Sequence, residues 1–308
     1  MDGRGRVKPK RYHYWGLRVE SDLDLPDWGK FEQTEGAFEA DVRIRIAAEA
    51  GEFLSQTPQT LVTPMAYRTS VPGLGVVSAH GGIEIRITAE HGSTPARLLP
   101  WITGSAWAAL CYQRGLFILH ASAVVVNGKA FAFCARARGG KSTLAANLNA
   151  RGFPLISDDL CRLEVSQNRE AYIYPSPPRM RLWVDAVTAL GWTAESLQPD
   201  QTRAGKYHAS ADFHIGLARI PLRAIYMLDW GELRIARRSG IRGLSQFLPA
   251  ATYRPKLVER MGKSSEHVAK SVSLLQTVSL WEFRRPRALE LFDEGLDAVV
   301  AHLSESYD

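Results

Sequence analysis

The chain has 308 residues, 45% of them apolar, and a formal net charge of +6. That length suits one large domain or two medium ones, and that apolar content excludes a disordered chain. The charge is modest and unaccompanied by a basic stripe or nucleic-acid module, there is no run of about 18 apolar residues, and three cysteines (Cys111, Cys134, Cys161) lack metal or CxxC spacing; nucleic-acid binding, a membrane span and a disulfide framework are therefore not expected.

Taken in chain order, residues 1–11 read as a disordered basic tail carrying Arg4, Arg6, Lys8 and Lys10. No apolar stretch follows these charges, which argues against a signal peptide and, with reduced thiols, for a cytoplasmic location. Residues 12–98 read as a small β-rich or α+β domain. Val42, Ile44 and Ile46 alternate with arginines at strand period, and Ile83, Ile85 and Ile87 do the same after Gly81-Gly82. Gly75–Ala79 is a third short apolar run, and Pro72-Gly73 and His91-Gly92-Ser93 mark turns.

A second domain is expected over 99–308. Trp101, Ala106, Trp107, Leu110 and Cys111 suit a helix ended by Gly115. Phe117–Val126 and Ala130–Cys134 form a hairpin around Asn127-Gly128. A helix is expected over Ser142–Ala150 with Gly152 as its stop, then a short strand at Leu155-Ile156. Tyr174–Pro178 reads as a rigid extended turn, and Thr202–Ala211 as an exposed polar loop. Ala224–Leu228 and Glu232–Ala236 suggest a second hairpin, Gly243–Leu248 and Tyr253–Met261 helices, and Ser279–Phe283 a closing strand. Leu289, Leu291, Phe292, Leu296, Val299, Val300 and Leu303 place an amphipathic helix over Ala288–Leu303.

The chemistry concentrates between the hairpin and the following helix. The apolar strand runs into Ala135-Arg136-Ala137-Arg138-Gly139-Gly140-Lys141-Ser142, with Thr143 next. Strand, glycine loop, Lys-Ser and helix in that order describe a phosphate-binding loop: backbone N–H groups wrap a polyphosphate, the lysine adds charge, and the serine hydroxyl reaches Mg²⁺. The first position of that motif is normally glycine, and here it is Ala135; if the position needs positive φ, its Cβ costs about 1–2 kcal/mol. Arg136 and Arg138 either add charge near the phosphates or point to solvent. A second Gly-Lys-Ser, Gly262-Lys263-Ser264, follows a charged stretch without a glycine loop and reads as a solvated turn.

Asp158-Asp159 begins 17 residues after Lys141. One helix and one strand return these acids to the loop, where one can hold Mg²⁺ while the other accepts a hydroxyl proton; otherwise they cap a turn. His120 sits in the apolar run Phe117–Ala121 and by itself is as readily a core residue as a functional one.

Together these residues resemble the catalytic core of HPr kinase/phosphorylase and its smaller kinase relatives. The matching pattern is His120-Ala121-Ser122, the hairpin, Lys141-Ser142, and Arg151-Gly152 through Pro154-Leu155-Ile156-Ser157-Asp158-Asp159, with 21 residues from His120 to Lys141. Tyr174-Pro175-Ser176 through Arg181-Leu182-Trp183, Trp281–Pro286 and the opening Tyr14-Trp15-Gly16-Leu17 look like the smaller relatives. The resemblance implies an α/β P-loop kinase core of the HPr kinase / phosphoenolpyruvate carboxykinase type behind a small β-rich N-terminal domain. It implies ATP or another nucleoside phosphate as donor, Mg²⁺, and a serine of a peptide or protein as acceptor; some relatives modify ribosomal peptide precursors of the lasso type. Carried over, Asp158 is the base, Ser142 and Asp159 serve Mg²⁺, Lys141 and the loop 135–143 bind phosphate, and His120 lies beside them.

Ala135 departs from the first loop glycine; Thr143 in place of a Glu, and the lack of the glycine-rich segment that goes with the reverse, phosphorolytic activity, favour a kinase-only relative and argue against HPr as its substrate. A further cation near the transferred group is expected, with Lys206 chosen over Arg179 and Arg181. A nucleotide- or peptide-binding scaffold with a degenerate loop and a small-metabolite kinase remain the competing readings, and the oligomeric state stays open.

Overall fold

The computed structural model describes residues 8–36, 38–47, 57–177, 179–200, 203–210, 213–214, 216–287 and 292–305. Arg4 and Arg6 of the expected tail, and Leu289 and Leu291 of the expected terminal helix, lie outside them. The described residues are mixed α/β and fall into two compact units, one drawn from Met1–Phe117 with Arg254–Glu266 and one from Ile118–Tyr253 with His267–Asp308. The helix expected to open the second domain therefore belongs to the first unit. No helix among the described residues is long and apolar enough to cross a membrane.

The first unit is built on a seven-stranded sheet of β1 (Lys10–Tyr14), β2 (Leu17–Ser21), β3 (Val42–Ile46), β4 (Gln59–Thr63), β5 (Ala66–Val71), β6 (Gly75–His80) and β7 (Glu84–Ala89), in the order β1-β2-β3-β7-β6-β5-β4. Lys10, expected in a disordered tail, instead opens β1 and pairs with Asp24 and Glu32. Alternation buries Val42, Ile44, Ile85 and Ile87 on one face, while Ile46, the last residue of β3, and Ile83, just before β7, share that parity but are exposed. Against the sheet lie α1 (Leu99–Trp101), a π-helical segment (Ile102–Ala106) and α2 (Trp107–Gln113). The Gln113 amide fixes this packing, accepting from Gly82 N–H at 2.8 Å and donating to Ala79 O at 3.2 Å. Tyr14, Trp28 and Trp107 form the aromatic centre, with Trp28 edge-on to Trp107 at 4.9 Å. The unit also contains α6 (Pro255–Arg260). Gly262 takes φ 67 just past it and Lys263 pairs with Glu266, so the second Gly-Lys-Ser is a surface helix connection, as expected.

The second unit carries a nine-stranded sheet made from β8 (Phe117–Leu119), β9 (Ala121–Val126), β10 (Lys129–Cys134), β11 (Leu155–Ser157), β12 (Cys161–Val165), β13 (Ala171–Ile173), β17 (Ile220–Trp230), β18 (Arg234–Arg238) and β19 (Ser279–Arg285). A separate small sheet holds β14 (Met180–Trp183), β15 (Gln198–Pro199) and β16 (Lys206–Ala209). Asn127 (φ 48) and Gly128 (φ 73) close the β9–β10 hairpin, the left-handed pair a two-residue turn requires. β10 and β17 run parallel, as do β17 and β19; Ala130–Cys134 of β10 and Ala224–Leu228 of β17 are buried continuously, which is why those runs show no alternation. Helices α3 (Lys141–Ala150) and α8 (Phe292–Glu305) pack into one apolar core with β9, β10 and β17 through Leu144, Leu148, Phe131, Phe133, Tyr226, Leu296 and Val299. The unit also includes α4 (Val184–Ala189), α5 (Gly240–Ala251) and most of α7 (Ser264–Leu275).

Two expectations need correction. β17 and β18 do not form a hairpin: β19 lies between them, parallel to β17 and antiparallel to β18, because a buried central strand needs a hydrogen-bonding neighbour on each edge. Nor is Thr202–Ala211 an exposed loop. Its described part contains β16, the middle strand of the small sheet, whose Lys206 and His208 are partly buried among charged groups rather than solvated.

Candidate functional site

Strand direction brings the candidate residues to one edge. β9 starts where β10 ends, with Ala121 opposite Cys134 and Ser122 opposite Phe133. β11 is antiparallel to β9, so it ends at that edge too, with Ser157 opposite Ala123. The segment around His120, the loop after Cys134 and the Asp158-Asp159 turn are therefore neighbours by topology. β17 and β19 finish at the same edge with Trp230 and Arg285. Ligands in such sheets gather at the carboxyl ends of parallel strands.

The loop 135–140 is shaped by two left-handed residues, Arg138 (φ 62) and Gly140 (φ 75), and by a Gly139 N–H bond to Arg136 O of 2.9 Å. Ala135 is not among the positive-φ residues, so the expected conformational cost does not fall there. Its methyl is buried in the core, and a Cβ on Gly139 would lie 2.5 Å from it. Arg136 and Ala137 are exposed, and Arg138 is exposed with its guanidinium 5.5 Å from the Trp183 ring. Lys141 opens α3 and is buried; burial pulls its pKa down against the opposing charges of Asp158 and Asp159. Ser142 and Thr143 follow in the first turn, half-buried.

Asp158 is held on both oxygens. Oδ1 accepts from Ser122 Oγ at 2.5 Å and from Ser142 Oγ at 3.1 Å, and Oδ2 accepts from the Arg181 backbone N–H at 3.1 Å. Burial pushes its pKa up, and the Ser122 hydrogen bond only partly counters this. Asp159 takes the left-handed conformation (φ 71), one that aspartate tolerates better than most residues, and its carboxylate turns to different partners. Oδ2 meets Arg181 Nη1 at 3.3 Å and Oδ1 lies 3.6 Å from His120 Nδ1. Burial opposes its ionisation, but His120 when protonated, Arg181, Lys206 and Lys141 outweigh it and hold its pKa below the ordinary value. Ser157 and Ser176 brace the turn, one hydroxyl donating to the other at 2.7 Å and the acceptor's own proton free to go on to Leu160 O. His120 stacks on Tyr253 at 5.7 Å, and burial followed by the Lys141 charge pushes its pKa down to about 4, so it is neutral at pH 7.

Lys206 lies opposite Trp183 in the small sheet, 5.4 Å from that ring, and its charge acts on both Asp159 and Asp158. Arg181, its rival, is instead fixed between Asp159 and the buried Asp200, with Nε 3.4 Å from Asp200 Oδ2. Arg179 acts through its charge on His208. The structure thus brings together His120, Lys141, Ser142, Asp158, Asp159 and Lys206. It pairs Ser142 with Asp158 rather than with Asp159, and leaves Arg136 and Ala137 on the outer side of the loop.

Sequence reasoning missed the buried Arg285, whose Nη2 reaches Gly139 O at 3.2 Å and Gly140 O at 3.4 Å. Its only sequence signal is a place in the β19 pattern, hidden by the charge run Arg284-Arg285-Pro286-Arg287. Ser122 was visible in the motif, but its bond to Asp158 was not.

Among known proteins, no protein-family model and no curated protein matches this chain. A solved structure of the HPr(Ser) kinase/phosphatase from Coxiella burnetii is similar in part, at 12% identity and a TM-score of 0.31, covering 61% of this chain and 98% of that one. That likeness is too slight to place the chain in that family.

Proposed function

We propose that the second unit transfers a phosphoryl group from a nucleoside triphosphate to a hydroxyl, with Mg²⁺, and that the acceptor is a serine of a peptide or protein. The observation that carries this reading is the Ser142–Asp158 hydrogen bond at the mouth of the glycine loop. It joins the residue after the loop lysine to a buried carboxylate of raised pKa, and so sets a phosphate cradle beside a base. The acceptor class rests on the motif resemblance over residues 117–160.

The donor atoms fit the metal. Ser142 Oγ and the ionised, partly exposed Asp159 carboxylate are hard oxygen donors, and Mg²⁺ bound by few protein groups takes its other ligands from phosphate and water. When bound, the metal neutralises charge on the phosphate oxygens. Lys141 and the loop N–H groups bind and orient the phosphates, Asp158 accepts the hydroxyl proton, and Lys206 adds positive charge opposite the aspartates. Arg181 orients the pair, Asp158 through its backbone and Asp159 through its side chain. The degenerate-loop scaffold loses its motive, since Ala135 carries no left-handed strain.

The test is incubation with ATP, Mg²⁺ and a pool of serine-containing peptides, read by mass spectrometry. A phosphorylated peptide dependent on Mg²⁺ supports the reading. Nucleotide binding with no phosphopeptide, while a hydroxylated metabolite is phosphorylated, would favour the small-metabolite alternative.

A further inference from the structure

Arg285 is 2% exposed, the one fully buried arginine among the described residues. Its Nη2 holds the Gly139 and Gly140 carbonyls, whereas Nε and Nη1 have no hydrogen-bond partner, and no carboxylate pairs with it among the described residues. The guanidinium lies 4.6 Å from the Trp230 ring and 5.6 Å from Phe283, so aromatic faces supply its surroundings where an acid would be usual. Burial pushes its pKa down to about 10, which still leaves it charged at neutral pH. Gly140 is required by this contact: a Cβ there would lie 2.4 Å from Arg285 Nη2 and 3.4 Å from Trp230.

Peptide geometry gives the carbonyl contacts a consequence. In a trans peptide the C=O and the following N–H point in opposite directions, and the described chain has no cis bonds. Holding Gly139 O toward Arg285 turns the Gly140 N–H away from it; Gly140 O, which also accepts from Leu144 N–H at 2.9 Å, is reinforced in the direction that does the same to the N–H of Lys141. Lys141 is the first residue of the ten-residue helix α3, whose leading N–H groups have no intrahelical acceptor. A buried cation without an acid partner is costly for the empty protein and favours an anion on the far side of those peptides.

We propose that Arg285 is a positioning residue for the anion site: from behind the loop it orients the Gly140 and Lys141 amides toward a bound polyphosphate and supplies unneutralised positive charge beneath them. The inference rests on the phosphate-binding reading of the loop. Arg285 touches the loop carbonyls and not the phosphate, so Trp230 and β19 serve to hold it in register.

The test is calorimetric titration of the full chain with inorganic pyrophosphate and with Mg²⁺·ATP, using wild type, Arg285→Lys and Arg285→Met, each checked by circular dichroism and thermal melting. Arg285→Lys keeps the charge but is one atom shorter and lacks the planar group that faces Trp230, and is expected to bind pyrophosphate about tenfold more weakly. Arg285→Met is expected to be weaker still, so that the lysine partly rescues the methionine variant. A role confined to stability would lower the melting temperature and leave the affinity of the folded protein unchanged. If either folded variant binds pyrophosphate within twofold of wild type, the proposal is overturned; should the methionine variant not fold, the lysine variant decides. Failure of wild type to bind either probe would instead remove the phosphate reading itself.

Discussion

Ala135 and Gly139 share one space: a Cβ on Gly139 would sit 2.5 Å from the Ala135 methyl and 2.9 Å from Arg136 O. The alanine that looks like a flaw in the loop is thus half of a pair, with glycine displaced to its partner. Gly139→Ala is expected to cost about 1–3 kcal/mol, the usual range for overpacking. In an Ala135→Gly background part of that cost returns, the Arg136 contact accounting for the rest. A double-mutant cycle by urea denaturation reads the coupling; strictly additive effects would mean the two side chains do not compete.

Asp159 gives a second stability prediction. Its left-handed φ of 71° suits Asp or Asn and penalises Ala. Asp159→Asn and Asp159→Ala both remove the charge, yet the alanine variant should be less stable by about 1 kcal/mol. Equal denaturation midpoints would show that the conformation costs nothing. Both variants should also require more Mg²⁺ for transfer.

The Asp158 environment sets the pH dependence of transfer. A base must be ionised, and burial has raised this carboxyl above its ordinary value. The rate should therefore fall with acidification at a pH above about 4, the ordinary carboxylate value. Ser122→Ala removes a hydrogen bond that favours the ionised form, so it should move this limb to higher pH. A pH–rate profile that stays in place in Ser122→Ala would separate Asp158 from the limb.

Burial also makes His208 a source of acid sensitivity. Its pKa is pushed down to about 4, by burial first and then by Arg179, with Asp200 at 3.2 Å opposing. A histidine whose folded pKa lies below its unfolded value of about 6.5 adds stability above that pH and loses it as pH falls toward 4. The melting-temperature gap between wild type and His208→Gln should accordingly narrow from pH 7.5 to pH 4.5. A gap that widened on acidification would reverse the sign assigned to this group.

Much of the site was legible because its signals are local. The Asn127-Gly128 turn, the apolar strand before Ala135 and the glycines before Lys141 each act through their own backbone, and β9, β10 and α3 follow from them. The spacing from Lys141 to Asp158 worked because one helix and one strand leave little choice of direction. What stayed hidden depends on distant chain. The β17–β18 hairpin looked sound because nothing near Trp230 reveals that β19 takes the place between them. The segment around Lys206 and His208 read as an exposed loop because their neighbours Asp159 and Asp200 are supplied by other segments. Arg285 was given no role for the same reason, and the φ of Ala135 is a property of the closed loop, which its sequence does not display.

The central claim, that a buried aspartate beside a phosphate cradle drives phosphoryl transfer, is tested most directly by Asp158→Asn. Nucleotide binding and transfer of labelled phosphate from ATP to a serine peptide should be measured on the same samples. The account predicts Mg²⁺·ATP affinity within a few-fold of wild type and transfer at least about 100-fold slower, the span that general-base catalysis supplies. Transfer by Asp158→Asn at the wild-type rate would contradict it.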